Sequence, residues 1–323
     1  MPEDPTDADS VCTTDHDAVV VTGAAGFIGS YLTTRLLADG HDVIGIDNER
    51  SGDWSRVPDD CRRVERDLAA MTTNEFAEHL DGVELCFHLA AEKYNSSKTT
   101  PQRVIDVNIG ATQRLVDAAG RTGTKVVFTS SLYAYGSMGP GPMAETDLPR
   151  PTTTYGMSKV AGEHLLRVGQ RDADLRWSVA RLFFVYGPRQ YAEGGYRSVI
   201  LSNFERIRAG EAPVIFGDGQ QALDYLFIDD VVDALVRLAA PECDGVIANV
   251  GSGVPTTIVA LTDEMLAVAG STSEPSFGPP DWTAGSARFG DVRHAAETFG
   301  WTVTTPLSEG LKRVWHWMAD DHD

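Results

Sequence analysis

The chain has 323 residues, of which 42% are hydrophobic, and its formal net charge at neutral pH is −20. This length and composition are sufficient for one large domain or two joined domains with a buried core. The negative charge argues against nucleic acids and anionic membranes as partners. Because no run of about 18 apolar residues is present and the first residues do not resemble a signal peptide, we expect a cytoplasmic protein without membrane spans.

Residues 1–17 differ in composition from the rest of the chain. They are rich in aspartate and contain two prolines. Such a segment cannot bury a core, so we predict a disordered acidic tail. The four cysteines of the chain are widely spaced and form no Cys-x-x-Cys pair. We therefore expect reduced thiols and no metal site.

The first ordered segment is predicted to be a β-strand that leads into a glycine-rich turn. The β-branched run Ala18–Val21 is followed by GAAGFIG at 23–29 and then by apolar residues at helical spacing. Glycines let backbone N–H groups approach a pyrophosphate, and a helix N-terminus favours its charge. An ordinary strand–turn–helix connection is the alternative, but the succession of a buried strand, a glycine-rich turn and a helix favours a dinucleotide-binding turn. Its predicted contacts are Gly23, Gly26, Phe27, Ile28 and Gly29.

An acidic residue ends the second predicted strand. Asp47 follows the apolar run 24 residues after Gly23. Its carboxylate can accept hydrogen bonds from both hydroxyls of an adenosine ribose and would repel a 2′-phosphate. This favours NAD over NADP, although Arg50 lies close in the sequence.

The ends of two later predicted strands carry residues suited to contacts with the cofactor. One end suits the adenine, and the other lets the backbone come close to the cofactor. Asp67 can accept a hydrogen bond from the adenine amine while Leu68 packs on the ring. Ala90 and Ala91, which follow the strand Leu85–Leu89, are small enough to let the chain pass close to a cofactor.

Predicted strands alternate with helices along the first half of the chain. Further strands are expected at Arg63–Glu65, Lys125–Thr129 and Trp177–Phe183, with a helix from about Pro101 to Gly120. This alternation predicts the α/β class, a doubly wound parallel (Rossmann) sheet with its site at the carboxyl ends of the strands. We assign 18–185 to the cofactor-binding domain, rejoined by about 224–252, and 186–223 with 253–323 to a smaller C-terminal substrate-binding lobe.

Tyr155 and Lys159 lie four residues apart at the start of a predicted helix, so their side chains project from one face. A free phenol has a pKa of about 10 and is a poor base at neutral pH. We expect the ammonium to draw the phenol pKa downward, so that Tyr155 takes a proton from a sugar or alcohol hydroxyl while hydride leaves the same carbon. A solvated Tyr and Lys on a helix surface is the alternative.

Five motifs together carry a family resemblance. They are TGAAGFIG at 22–29, SSxxxYG at 130–136, YGMSK at 155–159, VYGPRQ at 185–190 and DYLFIDDVV at 224–232. In this order, the motifs resemble the extended short-chain dehydrogenases/reductases, and among them the nucleotide-sugar epimerases and dehydratases. The resemblance covers roughly residues 18–315.

The resemblance implies residue roles, an NAD cofactor and a homodimer formed through the helix that bears Tyr155 and the helix before it. The implied catalytic residues are Ser131, Tyr155 and Lys159. The implied cofactor contacts add Asn48, Leu89, Lys93 and Asn108 to the residues named above, together with Tyr155 and Lys159. The implied substrate contacts are Lys93, Ser131, Tyr133, Phe184, Arg189 and Arg197.

The resemblance also narrows the reaction. Related 4,6-dehydratases carry an Asp-Glu pair where this chain has Leu132 and Tyr133. C4 epimerisation of a nucleotide sugar through a 4-keto intermediate is therefore the expected reaction. A dehydratase or other multi-step sugar modifier and a catalytically idle NAD-binding protein remain open. Tyr133 either packs against the sugar or serves as a second acid/base.

Three departures from the family pattern concern the nucleotide. Phe184 replaces an Asn, while Leu223 and, by counting back from Asp291, Asp281 replace arginines that reach the diphosphate. A charged hydrogen bond to phosphate contributes about 1.5–3 kcal/mol, so replacements are needed. The candidates are Arg189, Arg197, Arg206 and Arg288. If none of them serves, an NAD-dependent dehydrogenase or reductase of a non-nucleotide sugar or alcohol is the alternative.

Overall fold

The computed structural model describes residues 18–136, 141–190, 198–281 and 283–320. The acidic tail predicted for residues 1–17 and the candidate Arg197 lie outside these ranges. In chain order, the strands are β1 (Ala18–Thr22), β2 (Asp42–Asp47), β3 (Arg62–Glu65), β4 (Leu85–His88), β5 (Lys125–Ser131), β6 (Trp177–Leu182), β7 (Phe184–Tyr186), β8 (Val214–Phe216), β9 (Ala222–Leu223), β10 (Tyr225–Phe227), β11 (Ile247–Val250), β12 (Thr256–Thr257), β13 (Ser276–Gly278) and β14 (Ala287–Arg288).

The helices alternate with these strands and are named in the same way. They are α1 (Phe27–Ala38), α2 (Thr73–Leu80), α3 (Ser96–Thr99), α4 (Pro101–Ile105), α5 (Thr112–Thr122), α6 (Thr154–Ala173), α7 (Val199–Arg208), α8 (Ile228–Leu238), α9 (Ile258–Ala269), α10 (Arg293–Phe299) and α11 (Leu307–Asp320). Within the described ranges, no helix has the length and apolar character that a membrane crossing requires.

The central sheet has seven parallel strands in the order β11-β6-β5-β4-β1-β2-β3. The chain builds outward from β1 in one direction through β2 and β3, and in the other through β4, β5 and β6. This order confirms the doubly wound sheet predicted from the sequence. Its direction reverses between β1 and β4, and ligands bind such sheets in the crevice at the carboxyl ends of the strands on either side of that point.

Both faces of the sheet are buried. The side chains of β1 show this directly, since Val19 and Val21 belong to one hydrophobic cluster and Val20 to a second. A strand alternates its side chains between the two faces of the sheet, so a strand buried on both sides reads as a continuous β-branched run. This is why the AVVV segment predicted the strand correctly.

The single helix expected from about Pro101 to Gly120 is divided in the structure. Helices α4 and α5 are separated by a π-helical turn at Asp106–Ala111. Asn108, within that turn, accepts a hydrogen bond from the Glu92 backbone N–H and donates to the Glu92 carbonyl and the Ser158 hydroxyl. These partners lie on other elements, so the interruption has no signal in the local sequence.

The remaining strands form three small sheets outside the central one. β7 pairs with β10, β9 lies between β12 and β14, and β8 pairs with β13. Of the segment about 224–252, β11 joins the central sheet, whereas β10 pairs with β7. Five of these small-sheet strands, β8, β9, β12, β13 and β14, come from the segments that the sequence assigned to the second lobe.

Candidate active site

A cavity of about 480 Å³ lies at the carboxyl ends of the central strands. Most of the predicted site residues line it, from both sides of the point where the strand order reverses. They are Gly23, Gly26, Phe27, Ile28, Gly29, Asp47, Asn48, Asp67, Leu68, Leu89, Ala90, Ala91, Lys93, Ser131, Tyr133, Tyr155, Lys159 and Phe184. The described residues contain no cluster of His, Cys, Asp or Glu that could hold a metal ion.

The glycine turn packs so closely on the neighbouring backbone that side chains would not fit. Gly23 has a φ of +74°, and a Cβ there would lie 2.8 Å from the Ala90 backbone nitrogen. A Cβ on Gly29 would lie 1.9 Å from the Gly23 carbonyl oxygen, so the helix start packs directly on the turn. Helix α1 begins after Gly26, which offers no side-chain cap to the first amides. Uncapped amides at a helix N-terminus beside a cavity suit the pyrophosphate of a dinucleotide.

Asp47 lies at the end of β2, where a bound adenosine would need it. Its carboxylate accepts hydrogen bonds from the backbone N–H groups of Ala25 (3.1 Å) and Glu49 (2.7 Å). Burial raises the pKa of this carboxyl, and the backbone hydrogen bonds oppose that rise. The turn and this carboxylate together fit an NAD-type dinucleotide.

Tyr155, Ser131 and Lys159 meet at the centre of the cavity. The Ser131 side chain hydrogen bonds to the half-buried Tyr155 phenol. Lys159 Nζ donates to the Thr129 carbonyl at 2.8 Å and lies 5.8 Å from the centre of the Tyr155 ring. The helix face predicted from the four-residue spacing therefore points at the end of β5.

The pKa values differ from those the sequence suggested. Burial raises the pKa of Tyr155 to about 12, against the lowering effect of the Ser131 hydrogen bond. Burial also lowers the pKa of Lys159 to about 7, while the Glu163 carboxylate raises it. The expectation that Lys159 draws the phenol pKa downward is therefore wrong for the protein groups alone. The same desolvation disfavours the charged form of both side chains.

A cluster of ion pairs joins three loops at the cofactor end of the cavity. Glu92 Oε1 lies 3.0 Å from Arg50 Nε and 3.1 Å from Arg103 Nε. Arg103 also pairs with Asp67 at 2.6 Å. Burial would raise the pKa of Asp67, but Arg103 and the Ala69 N–H hold it below its usual value. Sequence analysis did not identify this cluster, because its members lie on three separate loops and on α4.

Two tyrosines form a wall beside Tyr155. Tyr94 stacks on Tyr133 with ring centres 4.8 Å apart, and Tyr133 meets Tyr155 edge-on at 5.7 Å. The Arg288 guanidinium lies over the Tyr133 ring, 5.9 Å from its centre. Tyr133 therefore contacts Tyr94, Tyr155 and Arg288 and forms part of the cavity lining beside the Tyr155 ring.

Two predicted ligand contacts lie away from the cavity lining. The buried Asn108 side chain is occupied by Glu92 and Ser158. Arg189 lies over the Tyr31 ring at 4.6 Å and donates to the Arg56 carbonyl at 3.4 Å. The roles of these two residues as direct ligand contacts, which the family resemblance implies, stay predictions.

The positions of the arginines proposed to bind the diphosphate differ in the structure. Leu223 lines the cavity, and Arg288 is its partner in the β9–β14 register. Asp281 accepts hydrogen bonds from the Thr283 backbone and hydroxyl and so closes its own turn. Arg206 is engaged by Glu211 and the Ala212 carbonyl. Arg288 is therefore the candidate among the described residues that is nearest to the aromatic wall.

Comparison with known proteins identifies the family. The NAD dependent epimerase/dehydratase family matches residues 19–251. The chain belongs to this family. Over 312 residues it is 39% identical to the UDP-glucose 4-epimerase of Mycolicibacterium smegmatis, covering 91% of this chain and 96% of the relative.

Solved structures give the same result over nearly the whole chain. The Thermotoga maritima UDP-glucose 4-epimerase with UDP-glucose has a TM-score of 0.88 and 32% identity, covering 95% of this chain and all of that one (100%). The Bacillus cereus UDP-glucuronic acid 4-epimerase, in complex with UDP-glucuronic acid and NAD, has a TM-score of 0.83 and 25% identity, covering 94% of this chain and 99% of that one.

Proposed function

We propose that this protein is an NAD-dependent nucleotide-sugar epimerase that inverts C4 through a transient 4-keto sugar. The observation that carries the proposal is the meeting of Ser131, Tyr155 and Lys159 at the centre of a cavity whose other end is the glycine turn. Similarity to UDP-sugar 4-epimerases over more than nine-tenths of the chain supports it. The same similarity does not favour the alternative, a dehydrogenase of a non-nucleotide sugar or alcohol.

The proposed mechanism assigns one task to each of the three side chains. Tyr155 in its phenolate form takes the proton of the C4 hydroxyl at its side-chain oxygen and returns it after the keto sugar has turned. Because burial in the protein alone raises the pKa of Tyr155 to about 12, this phenolate would need the positive charge that NAD supplies when it is bound. Ser131, hydrogen bonded to that phenol, orients the reacting hydroxyl. Lys159, held by the Thr129 carbonyl, binds the nicotinamide ribose and places a cation beside Tyr155. NAD, when bound, supplies the acceptor and later the donor of the hydride.

The residues after Ser131 favour epimerisation over dehydration. Leu132 is buried with Tyr135, Met143 and Phe183 and has no group that can move a proton. Dehydration needs an additional acid and base beside the sugar, whereas C4 inversion needs one group that serves in both directions. Tyr133 is then a substrate contact through its hydroxyl or exposed edge.

We propose that Arg288 neutralises the diphosphate in place of the arginine that Leu223 replaces. The register of β14 on β9 puts the two residues side by side, and the guanidinium lies over Tyr133 at the cavity wall. Arg288 itself lies behind Tyr133, outside the cavity lining, whereas Lys93 and Phe184 line the cavity and complete the proposed substrate contacts among the described residues. A guanidinium can bind phosphate oxygens in a bidentate manner, which a leucine cannot replace.

A homodimer and a cytoplasmic location are also proposed. On α6, Val168 is 41% exposed beside α5, which supports a shared four-helix interface with a second copy. The buried free thiols of Cys61, Cys86 and Cys243 support a reducing compartment. Light scattering of the purified protein, with Val168→Asp as the disrupting variant, tests the dimer.

Proton NMR tests the reaction. Purified protein is incubated with NAD and, in separate tubes, UDP-glucose, UDP-N-acetylglucosamine or UDP-glucuronic acid. A new anomeric signal that approaches equilibrium without NADH absorbance is the expected result and identifies the sugar. Net NADH formation would instead support a dehydrogenase, and no change in any tube would overturn the UDP-sugar assignment. The Tyr155→Phe protein serves as the inactive control.

A further inference from the structure

Three consecutive residues of β5 each bind a different side chain of α6. The strand residues are the last three of β5, and the helix residues are spaced four apart on one face. Lys159 Nζ donates to the Thr129 carbonyl at 2.8 Å, and the Ser130 hydroxyl donates to Glu163 Oε1 at 2.6 Å. The pairs are Thr129 with Lys159, Ser130 with Glu163, and Ser131 with Tyr155. The first and third pairs belong to the proposed catalytic group, whereas the proposed chemistry does not use the middle pair.

Glu163 extends this middle connection to the next strand. Arg181, on β6, donates from Nε to Glu163 Oε1 at 2.9 Å and from Nη2 to Oε2 at 2.7 Å. The two side chains are only 1% (Glu163) and 2% (Arg181) exposed. Arg181 is itself held over the ring of Tyr135, whose hydroxyl donates to Asn249 Oδ1 at 2.6 Å. One carboxylate therefore joins β5, α6 and β6.

Stability alone does not explain a buried ion pair at this place. The cost of removing two charges from water offsets most of their attraction, so apolar residues of similar volume stabilise a core equally well or better. What directional contacts add is a defined relative position of the elements that they join.

The apolar packing of α6 on β5 does not by itself define where the helix lies along its own axis. A Cβ on Gly162 would lie 2.5 Å from the Phe128 ring, so the helix lies directly on β5. Close contact of this kind sets the distance between helix and strand. It is apolar at this point and has no directional preference along the helix axis, whereas the bonds of Glu163 to Ser130 and Arg181 have one.

We propose that Glu163 is a positioning residue for the reaction, which acts with Ser130 and Arg181 to fix the axial position of α6 on β5 and thereby the geometry between Tyr155 and Ser131. The inference rests on the proposed function, because it takes Tyr155 and Ser131 as the groups that contact the sugar. Glu163 itself is behind the cavity wall and touches neither substrate nor cofactor. A displacement of about 1 Å at reacting groups can reduce the rate about a hundredfold.

The test compares two variants with a matched control. Ser130→Ala removes one bond to Glu163 and keeps the ion pair, whereas Glu163→Gln keeps the shape and removes the charge. The control is Ser178→Ala on β6, which removes a buried serine hydrogen bond of 2.8 Å to the Leu238 carbonyl of α8 without touching α6. For each protein, the melting temperature, the dissociation constant for NAD, and kcat and KM with the sugar identified by NMR are measured.

A positioning role predicts a loss in kcat alone. We expect kcat to fall about fivefold in Ser130→Ala and about a hundredfold in Glu163→Gln, with KM and the NAD dissociation constant within about twofold of the parent. Ser178→Ala should lower the melting temperature as much as Ser130→Ala and leave kcat unchanged. If Glu163→Gln does not fold because Arg181 loses its partner, Ser130→Ala carries the test. Equal kcat values in the two serine variants would overturn the proposal.

A second readout does not depend on turnover. Fluorotyrosine is incorporated at the nine tyrosines, and the fluorine NMR signal of Tyr155 is assigned by its absence in Tyr155→Phe. The positioning role predicts that this signal shifts in Ser130→Ala and stays in place in Ser178→Ala. If the parent protein is inactive on every nucleotide sugar, the proposed function fails, and this signal still decides the positioning role. An unshifted signal in Ser130→Ala overturns it.

Discussion

Tyr155 is the residue on which the proposed reaction depends, since its phenol hydrogen bonds to Ser131 and is raised in pKa by burial. We expect Tyr155→Phe to reduce epimerisation about a thousandfold, because proton transfer by a positioned group contributes about 10²–10⁴-fold. The affinity for NAD should remain within about twofold, since the variant keeps the ring. Tyr31→Phe is the control, because the Tyr31 hydroxyl donates to the Pro188 carbonyl outside the cavity lining. A Tyr155→Phe protein with more than a tenth of the parental rate would contradict the mechanism.

His88 gives the protein a specific sensitivity to acid. It lies buried at the end of β4, with Nδ1 2.7 Å from Thr22 Oγ1 and Nε2 2.9 Å from Thr112 Oγ1. Burial, and next the charge of Lys159, lower the pKa of His88 to about 3. Between the unfolded pKa of about 6.5 and this value, the unfolded chain binds the extra proton. The free energy of unfolding therefore falls as the pH falls through this window.

This titration can be measured by urea denaturation at several pH values. The His88 contribution amounts to about 1.4 kcal/mol per pH unit, or about 2 kcal/mol between pH 6.5 and pH 5. We expect His88→Gln to remove that part of the slope. His164→Gln, at an exposed position of α6, is the control and should keep the parental slope. Parallel curves for the parent and His88→Gln would rule out this account.

Site residues could be proposed from the sequence where a short local pattern requires one particular residue type. Gly23 and Asp47 could be proposed from the sequence because a glycine turn and an acid at the next strand end are the pattern of a dinucleotide site, and both residues line the cavity. Arg288 could not be ranked above Arg189 from the sequence. Its candidacy as a phosphate ligand depends on the pairing of β14 with β9, whereas Arg189 lies over the Tyr31 ring and donates to the Arg56 carbonyl.

Secondary-structure elements could likewise be predicted only where their cause lies in the local sequence. The order of strands and helices could be predicted, because inner strands such as β1, β5 and β6 are buried along almost their whole length and read as apolar runs. The π-helical turn around Asn108 could not, because its cause is a set of hydrogen bonds to Glu92 and Ser158 on other elements. The ion-pair cluster at the cofactor end could not be predicted either, because its members are far apart in the sequence and meet only in the folded chain.

That cluster leads to a prediction about cofactor retention. Glu92 is 9% exposed and bridges Arg50, on the loop after β2, and Arg103, on α4, at the cofactor end of the cavity. We expect Glu92→Gln to speed NAD release about fivefold, a modest effect because the Arg50 side chain is 54% exposed and the pair is screened. High salt should speed release from the parent and have less effect on the variant. Release is measured by chasing bound NADH and following the loss of its fluorescence.

The control for this prediction is an ion pair outside the cavity. Asp39→Asn removes the exposed pair with Arg35 on α1, and its release rate should equal that of the parent. If Glu92→Gln also matches the parent at low salt, the ion pairs do not hold the loops over the cofactor.

At the scale of the whole molecule, the sheet and the surface have separate roles. The reversal of strand order between β1 and β4 brings the glycine turn, Asp47 and the end of β5 to one cavity, although they are far apart in the sequence. The full sequence has an excess of 47 acidic over 27 basic residues. This excess does not determine the fold, but it affects the stability of the compact state through self-repulsion.

Screening of that repulsion should stabilise the protein. Raising the KCl concentration from about 0.05 M to about 1 M shortens the Debye length from roughly 14 Å to about 3 Å. We expect the melting temperature to rise by several degrees, because exposed pairs such as Arg35–Asp39 contribute at most about 1 kcal/mol each and lose less than the repulsion releases. Scanning calorimetry in KCl and NaCl at equal ionic strength measures the change. Equal curves in the two salts support screening, whereas a melting temperature that falls with salt would show that the local ion pairs outweigh the net charge of −20.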